Sequence, residues 1–181
     1  LQKHPQIEWA RNGVFGDPSF DWESATVFAE SMAGIGIRAV IISKLWTLPT
    51  EEQMARMALS GAVLHFSIIP GYEYPPELLI GNKEQNLITG KLEMLQRYDQ
   101  MTRIQGDEWS DSIHIRVGSS KWDEERSEGK ILQEAQDWFI DFSRSQGWQV
   151  LETPWKYEGP RDPRSVSYTH LRAHETQRYR V

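Results

Sequence analysis

Cysteine is absent from all 181 residues, which excludes disulfide bonds within the chain. Within the residues present it also excludes thiolate ligation of zinc or of an iron–sulfur cluster. Long apolar runs are missing too. None approaches the roughly 18 residues that a membrane-spanning helix needs, and no signal-peptide pattern is visible, so a cytoplasmic location is the expectation. Basic charge is in short supply: 20 Lys and Arg stand against 26 Asp and Glu, for a net charge of −6. So acidic a chain is poorly suited to non-specific nucleic-acid binding, which depends on neutralising phosphates. Repeats and low-complexity tracts are lacking, and one domain is expected. What is abundant is tryptophan. Its eight residues are spread along the chain, where strand ends and helix faces are their expected places.

Residues 166–181 read unlike the rest. V-S-Y-T-H-L-R-A-H-E-T, Val166 to Thr176, resembles one reading frame of the transposase adapter used to prepare short-read DNA libraries. Such a segment is excluded from fold reasoning. The expected domain is therefore residues 1–165, a metagenomic fragment truncated at both ends. Setting aside Arg172, Arg178, Arg180 and Glu175 takes the net charge from −6 to −8. His170 and His174 drop out of any site. On this reading the absence of cysteine describes only the piece in hand. The isolated chain is expected to be inert and poorly soluble, with a sheet edge exposed.

The remainder alternates short apolar runs with amphipathic stretches. Trp22, Ala25, Phe28, Ala29 and Met32 have helical spacing, and Gly34 and Gly36 end that helix. Arg38 to Ser43 (R-A-V-I-I-S) is a β-branched run that predicts a strand. Thr50-Glu51-Glu52-Gln53 predicts a helix N-cap with an acidic first turn, running to Leu59 before Gly61. Strands are predicted at Ala62 to Ile69, Ser112 to Val117 and Trp148 to Thr153, and a short first strand ends within Asn12 to Phe15. Helices are predicted at Lys83 to Met101 and Ser127 to Gln146, the latter with Ile131, Ala135, Trp138, Phe139 and Phe142 on one side. Alternation of this kind implies parallel strands joined by helical crossovers.

In an open doubly wound sheet both strand faces are covered by helices and read as apolar. Here they differ. His65 and Ser67 share a face opposite Leu64, Phe66 and Ile68; His114 and Arg116 share one opposite Ile113, Ile115 and Val117. Glu152 opposes Leu151, and Lys44 follows Ile42 at a strand end. If helices cover the apolar face, the polar residues line a shared interior. The expected fold is α/β, a partial (βα) TIM-like barrel, with its site at the C-terminal ends of the strands.

The order of these features resembles the radical S-adenosylmethionine superfamily, over nearly all of residues 10–155. Its Gly-Gly-Glu-Pro-like motif, which holds the methionyl amino group, corresponds to Gly13-Val14-Phe15-Gly16-Asp17-Pro18. Gly16 and Pro18 match, Asp17 replaces Glu, and Phe15 replaces the first Gly. The resemblance implies that Ser67 and Arg116 hold the carboxylate and ribose of S-adenosylmethionine. It implies an iron–sulfur cluster as well, and leaves Lys44, His65 and Glu152 as candidate catalytic residues. The defining C-x3-C-x2-C motif is not in this sequence; the resemblance places it upstream of Leu1.

Two other readings fit the residues. A different (βα)-barrel enzyme, such as a sugar isomerase or glycoside hydrolase, would use Asp17, Glu73 and Glu152 as acids and His65 and His114 as metal ligands. A binding module without chemistry would use the Tyr72–Pro76 loop and the acidic surface for contacts, but leaves the polar strand faces unexplained. A small-molecule substrate is expected, with no membrane partner.

Overall fold

A computed structural model describes residues 7–13, 16–69, 87–105, 111–118, 121–122, 127–153 and 165–166. Strands β1 (Trp9–Asn12), β2 (Arg38–Ser43), β3 (Val63–Ile68), β4 (Ile113–Gly118) and β6 (Gln149–Thr153) form one sheet. All its pairings are parallel, in the order β1-β2-β3-β4-β6. Between them run helices α1 (Trp22–Ala33), α2 (Glu51–Leu59), α3 (Leu87–Arg103) and α4 (Ser127–Ser145). A separate two-residue ladder joins β5 (Lys121–Trp122) to β7 (Ser165–Val166). The protein is therefore α/β with a parallel sheet, as expected. The sheet is open, with β1 and β6 at its edges.

Local signals explain the element ends. Thr50 caps α2 in a reciprocal box: its Oγ1 accepts from Gln53 N–H at 3.3 Å, and its own N–H donates to Gln53 Oε1 at 2.9 Å. Asp21 caps α1 by accepting from Ser24 N–H at 3.1 Å. Gly61 and Gly147 sit at φ +68° and +78°, each two residues before the start of β3 and β6, a backbone turn that side chains resist.

Every crossover advances the strand order by one position in the same direction. Right-handed connections of that kind place the helices on one side of the sheet. The core agrees. Ala39 and Ile41, Leu64, Phe66 and Ile68, and Ile113, Ile115 and Val117 join one cluster with Trp22, Ala29, Met57, Leu95, Tyr98 and Phe139 of the four helices. Phe66 and Phe139 meet edge to face, centroids 6.3 Å apart. The alternate residues of the strands contribute nothing to that cluster.

One helix face is rotated from expectation. Ala135 and Phe139 of α4 are buried, but Ile131 and Trp138 are exposed, and Leu132, Gln136, Ile140 and Ser143 complete the buried stripe. Spacing allowed either rotation. Polar Gln136 and Ser143 hid the observed one, since Ser143 satisfies its hydroxyl by donating to Phe139 C=O at 2.8 Å.

Candidate functional site

The strands end, at their C-terminal side, in a bracket built on Asp17. A single 3-10 turn, Pro18–Phe20, follows Asp17, which caps it by accepting from Ser19 N–H at 2.9 Å. The same Oδ1 accepts from Ser43 Oγ at 2.6 Å, and Oδ2 accepts from Lys44 N–H at 2.7 Å. Ser43 Oγ in turn accepts from Leu45 N–H at 2.8 Å, and Leu45 takes φ +55°. Ser19 Oγ accepts from Trp46 N–H at 3.1 Å, and its C=O accepts from Thr47 Oγ1. The turn after β1 and the loop after β2 are thus tied by one carboxylate. Burial raises the Asp17 pKa, but the hydrogen bonds from Ser43, Lys44 and Ser19 outweigh it and hold the carboxyl below its ordinary value.

Two lysines stand beside this bracket. Lys91, from α3, is only 7% exposed. Its Nζ donates to Lys44 C=O at 2.9 Å and lies 5.4 Å from the centroid of Trp46 and 5.8 Å from that of Phe66. Lys44 Nζ lies 6.0 Å from the Trp46 centroid. Burial lowers the pKa of both ammonium groups, against the attraction of the Asp17 charge.

The open face of the sheet carries the polar residues expected of it. The register sets His65 beside His114, and Ser67 beside Arg116 one step nearer the C-terminal end. Both pairs alternate with the residues that enter the core, so they occupy the face away from the helices. The His65 and His114 rings meet edge to face, centroids 5.9 Å apart. His114 Nε2 pairs with Asp111 Oδ1 at 2.9 Å. His65 Nε2 is buried and has no hydrogen-bond partner. Burial first, then the charges of His114, Arg116 and Arg11, pushes the His65 pKa down to about 4.

The predicted site residues therefore fall into two groups. Asp17, Pro18 and Lys44 come together in the bracket; Ser67, Arg116, His65 and His114 come together on the open face. Gly16 is exposed, and a side chain there would meet nothing within 4 Å. Glu152 is the register partner of Val117, while Leu151 is the partner of Arg116; its side chain lies outside the described part. Glu73 and the Tyr72–Pro76 loop also lie outside the described residues. Among the described residues no group of three or more His, Asp or Glu side chains converges to hold a metal.

Sequence reasoning missed Ser19 and Ser43 within the bracket and the roles of Gly13 and Lys91 near it. Gly13, at φ +104°, brings its backbone so close to β2 that an added Cβ would lie 2.2 Å from Ile42 O. Ser19 had a usable signal, since Asp-Pro-Ser reads as a capped turn with Pro at its first position. Lys91 had none, because a lysine in an amphipathic helix is ordinarily solvated.

No protein-family model, curated protein or solved structure matches the chain.

Proposed function

We propose that the chain is part of a (βα)-barrel enzyme of the radical S-adenosylmethionine type, whose open sheet face binds S-adenosylmethionine. The observation that carries this reading is the register pair Ser67↔Arg116. It lies on the face opposite the four described helices and at the C-terminal end of parallel strands, where folds of this architecture bind small molecules. Sequential strand order with helices on one side is what a partial barrel requires; the remaining wall of such a barrel is the finer part of the proposal.

The chain's own residues divide the work simply. The exposed Arg116 guanidinium matches a carboxylate, because its planar fork can donate to both oxygens. Ser67 beside it offers a hydroxyl to the ribose. The bracket holds the Asp17 carboxylate in place, and its lowered pKa keeps it charged, a counter-charge for the methionyl ammonium. When bound, S-adenosylmethionine supplies the source of a radical. The iron–sulfur cluster is a different matter: with no cysteine in the chain, these residues do not fit it, and no step through it belongs to them.

Calorimetric titration of the full chain with S-adenosylmethionine tests the reading. Saturable binding is expected, with Arg116→Ala weakening it about 10- to 100-fold, as loss of a hydrogen-bonded charge does. Absence of saturation at millimolar ligand, or an Arg116→Ala protein that binds equally well, would sink it.

A further inference from the structure

The main chain of Lys44 is clamped from two directions. Its N–H donates to Asp17 Oδ2 at 2.7 Å, and its C=O accepts from Lys91 Nζ at 2.9 Å. One clamp comes from the turn after β1 and the other from α3. The residue that follows, Leu45, takes φ +55° with its side chain buried. Backbone strain of that kind persists only where its surroundings over-determine it.

The Lys44 side chain leaves this clamp at the C-terminal end of the parallel strands, where folds of this class carry their reacting groups. Its Nζ lies 6.0 Å from the Trp46 centroid, and Lys91 Nζ lies 5.4 Å from the same centroid. The Trp46 indole is 54% exposed, so that ring faces solvent at the rim. Lys44 itself is half-buried. A lysine desolvated against an apolar surface, with a second cationic group close by, is the setting in which an amine acts as a nucleophile. Burial lowers the Lys44 pKa in that sense, against the attraction of Asp17.

We infer that Lys44 is a nucleophile for a carbonyl substrate, an aldehyde or ketone, which it holds as an imine at the rim beside Trp46. Lys91 is its positioning residue. The lone pair of the unprotonated amine adds to the carbonyl carbon, and the C=O pair moves to oxygen. The oxygen then leaves as water with both amine protons as the C=N bond closes, so no oxidant or reductant is needed. The exposed indole face gives the apolar part of the substrate a surface to lie on. This role depends on the Asp17 bracket and not on the cofactor.

Reductive trapping on the full chain tests it. The protein is incubated near neutral pH with propanal, or with acetone, and sodium cyanoborohydride. The reductant turns an imine into a stable secondary amine, and peptide mass spectrometry follows each lysine with time. Lys44 is expected to be alkylated at least about 10-fold faster than Lys130, an exposed lysine of α4, as an activated and oriented amine is relative to an ordinary surface one. The faster probe assigns the carbonyl class. In urea that unfolds the chain, the two rates should converge. Equal rates in the folded chain, labelling led by any other lysine, or a Lys44 preference that survives in urea would overturn the role.

Lys91→Met removes the donor to Lys44 C=O but keeps an unbranched side chain beside the Trp46 and Phe66 rings. It is expected to slow alkylation of Lys44 about 10-fold and to leave Lys130 unchanged. Lys91→Arg keeps a donor and should restore part of the rate. A Lys44 rate that neither variant moves would contradict the positioning by Lys91. Preferential labelling of Lys44 without S-adenosylmethionine binding would sink only the cofactor reading, and binding with uniform labelling would sink only this role.

Discussion

Replacing Gly13 with alanine is expected to destabilise the protein by at least about 3 kcal/mol, the largest effect of any small-residue change at the strand ends. Two independent causes act there. The backbone at φ +104° is a conformation that residues with a Cβ avoid. The added Cβ would also lie 2.2 Å from Ile42 O, a backbone atom that cannot swing aside as a side chain does. Relief requires β1 to move away from β2, which pulls on the Asp17 bracket directly after it. A loss of that size is a large share of the roughly 5–15 kcal/mol that holds a typical domain together. Gly16→Ala is the control. Nothing lies within 4 Å of its added carbon, and a change within about 0.5 kcal/mol is expected. Urea unfolding midpoints compare the two; equal midpoints would contradict the close approach of β1 to β2.

Asp17→Ala is expected to cost about 3 kcal/mol. It leaves Ser43 Oγ, Lys44 N–H and Ser19 N–H without their shared acceptor. Each hydrogen bond to a charged group contributes about 1.5–3 kcal/mol, but bonds to one carboxylate are not additive, so the total falls short of their sum. Asp17→Asn is expected to lose about half as much, since one oxygen remains while the amide offers hydrogens to donors. If Asp17→Ala unfolded within about 0.5 kcal/mol of the native protein, the bracket would have no structural weight.

Acidification should act in two steps. His65 has a folded pKa near 4, below its ordinary 6.5. The unfolded chain therefore binds the extra proton first, and stability falls as pH drops from 6.5 towards 4. Asp17 is also depressed, below 3.8. Its contribution is fully present above 3.8 and is lost as pH falls through the lower folded value. His65→Leu should remove the upper step alone, and Asp17→Asn the lower. A stability profile in which His65→Leu left the upper step intact would contradict this assignment.

The fold was legible where two periodicities could be read together. Arg38 to Ser43 alternates buried and half-buried along its length, and Thr50 with Gln53 forms the capping box that its sequence announces. The separation of His65, Ser67, His114 and Arg116 from their apolar neighbours was also legible, because a strand's side chains alternate by geometry. The bracket was legible only in part. Asp17 and Lys44 were expected at strand ends, but Ser43, which ties Asp17 to β2 from about 26 residues away in sequence, carries no pattern that a linear reading detects. Glu152 shows the opposite limit. Alternation within β6 separated it from Leu151 correctly, but only the register with β4 shows that Leu151, not Glu152, stands beside Arg116.

The central claim is that ligand binds on the sheet face opposite the four described helices, and mapping backbone amide shifts during titration with S-adenosylmethionine tests it most directly. The account expects the shifts to cluster at residues 43–45, 65–67 and 114–118, with α1, α2 and α4 unmoved. Shifts centred on those helices, or none at saturating ligand, would contradict it.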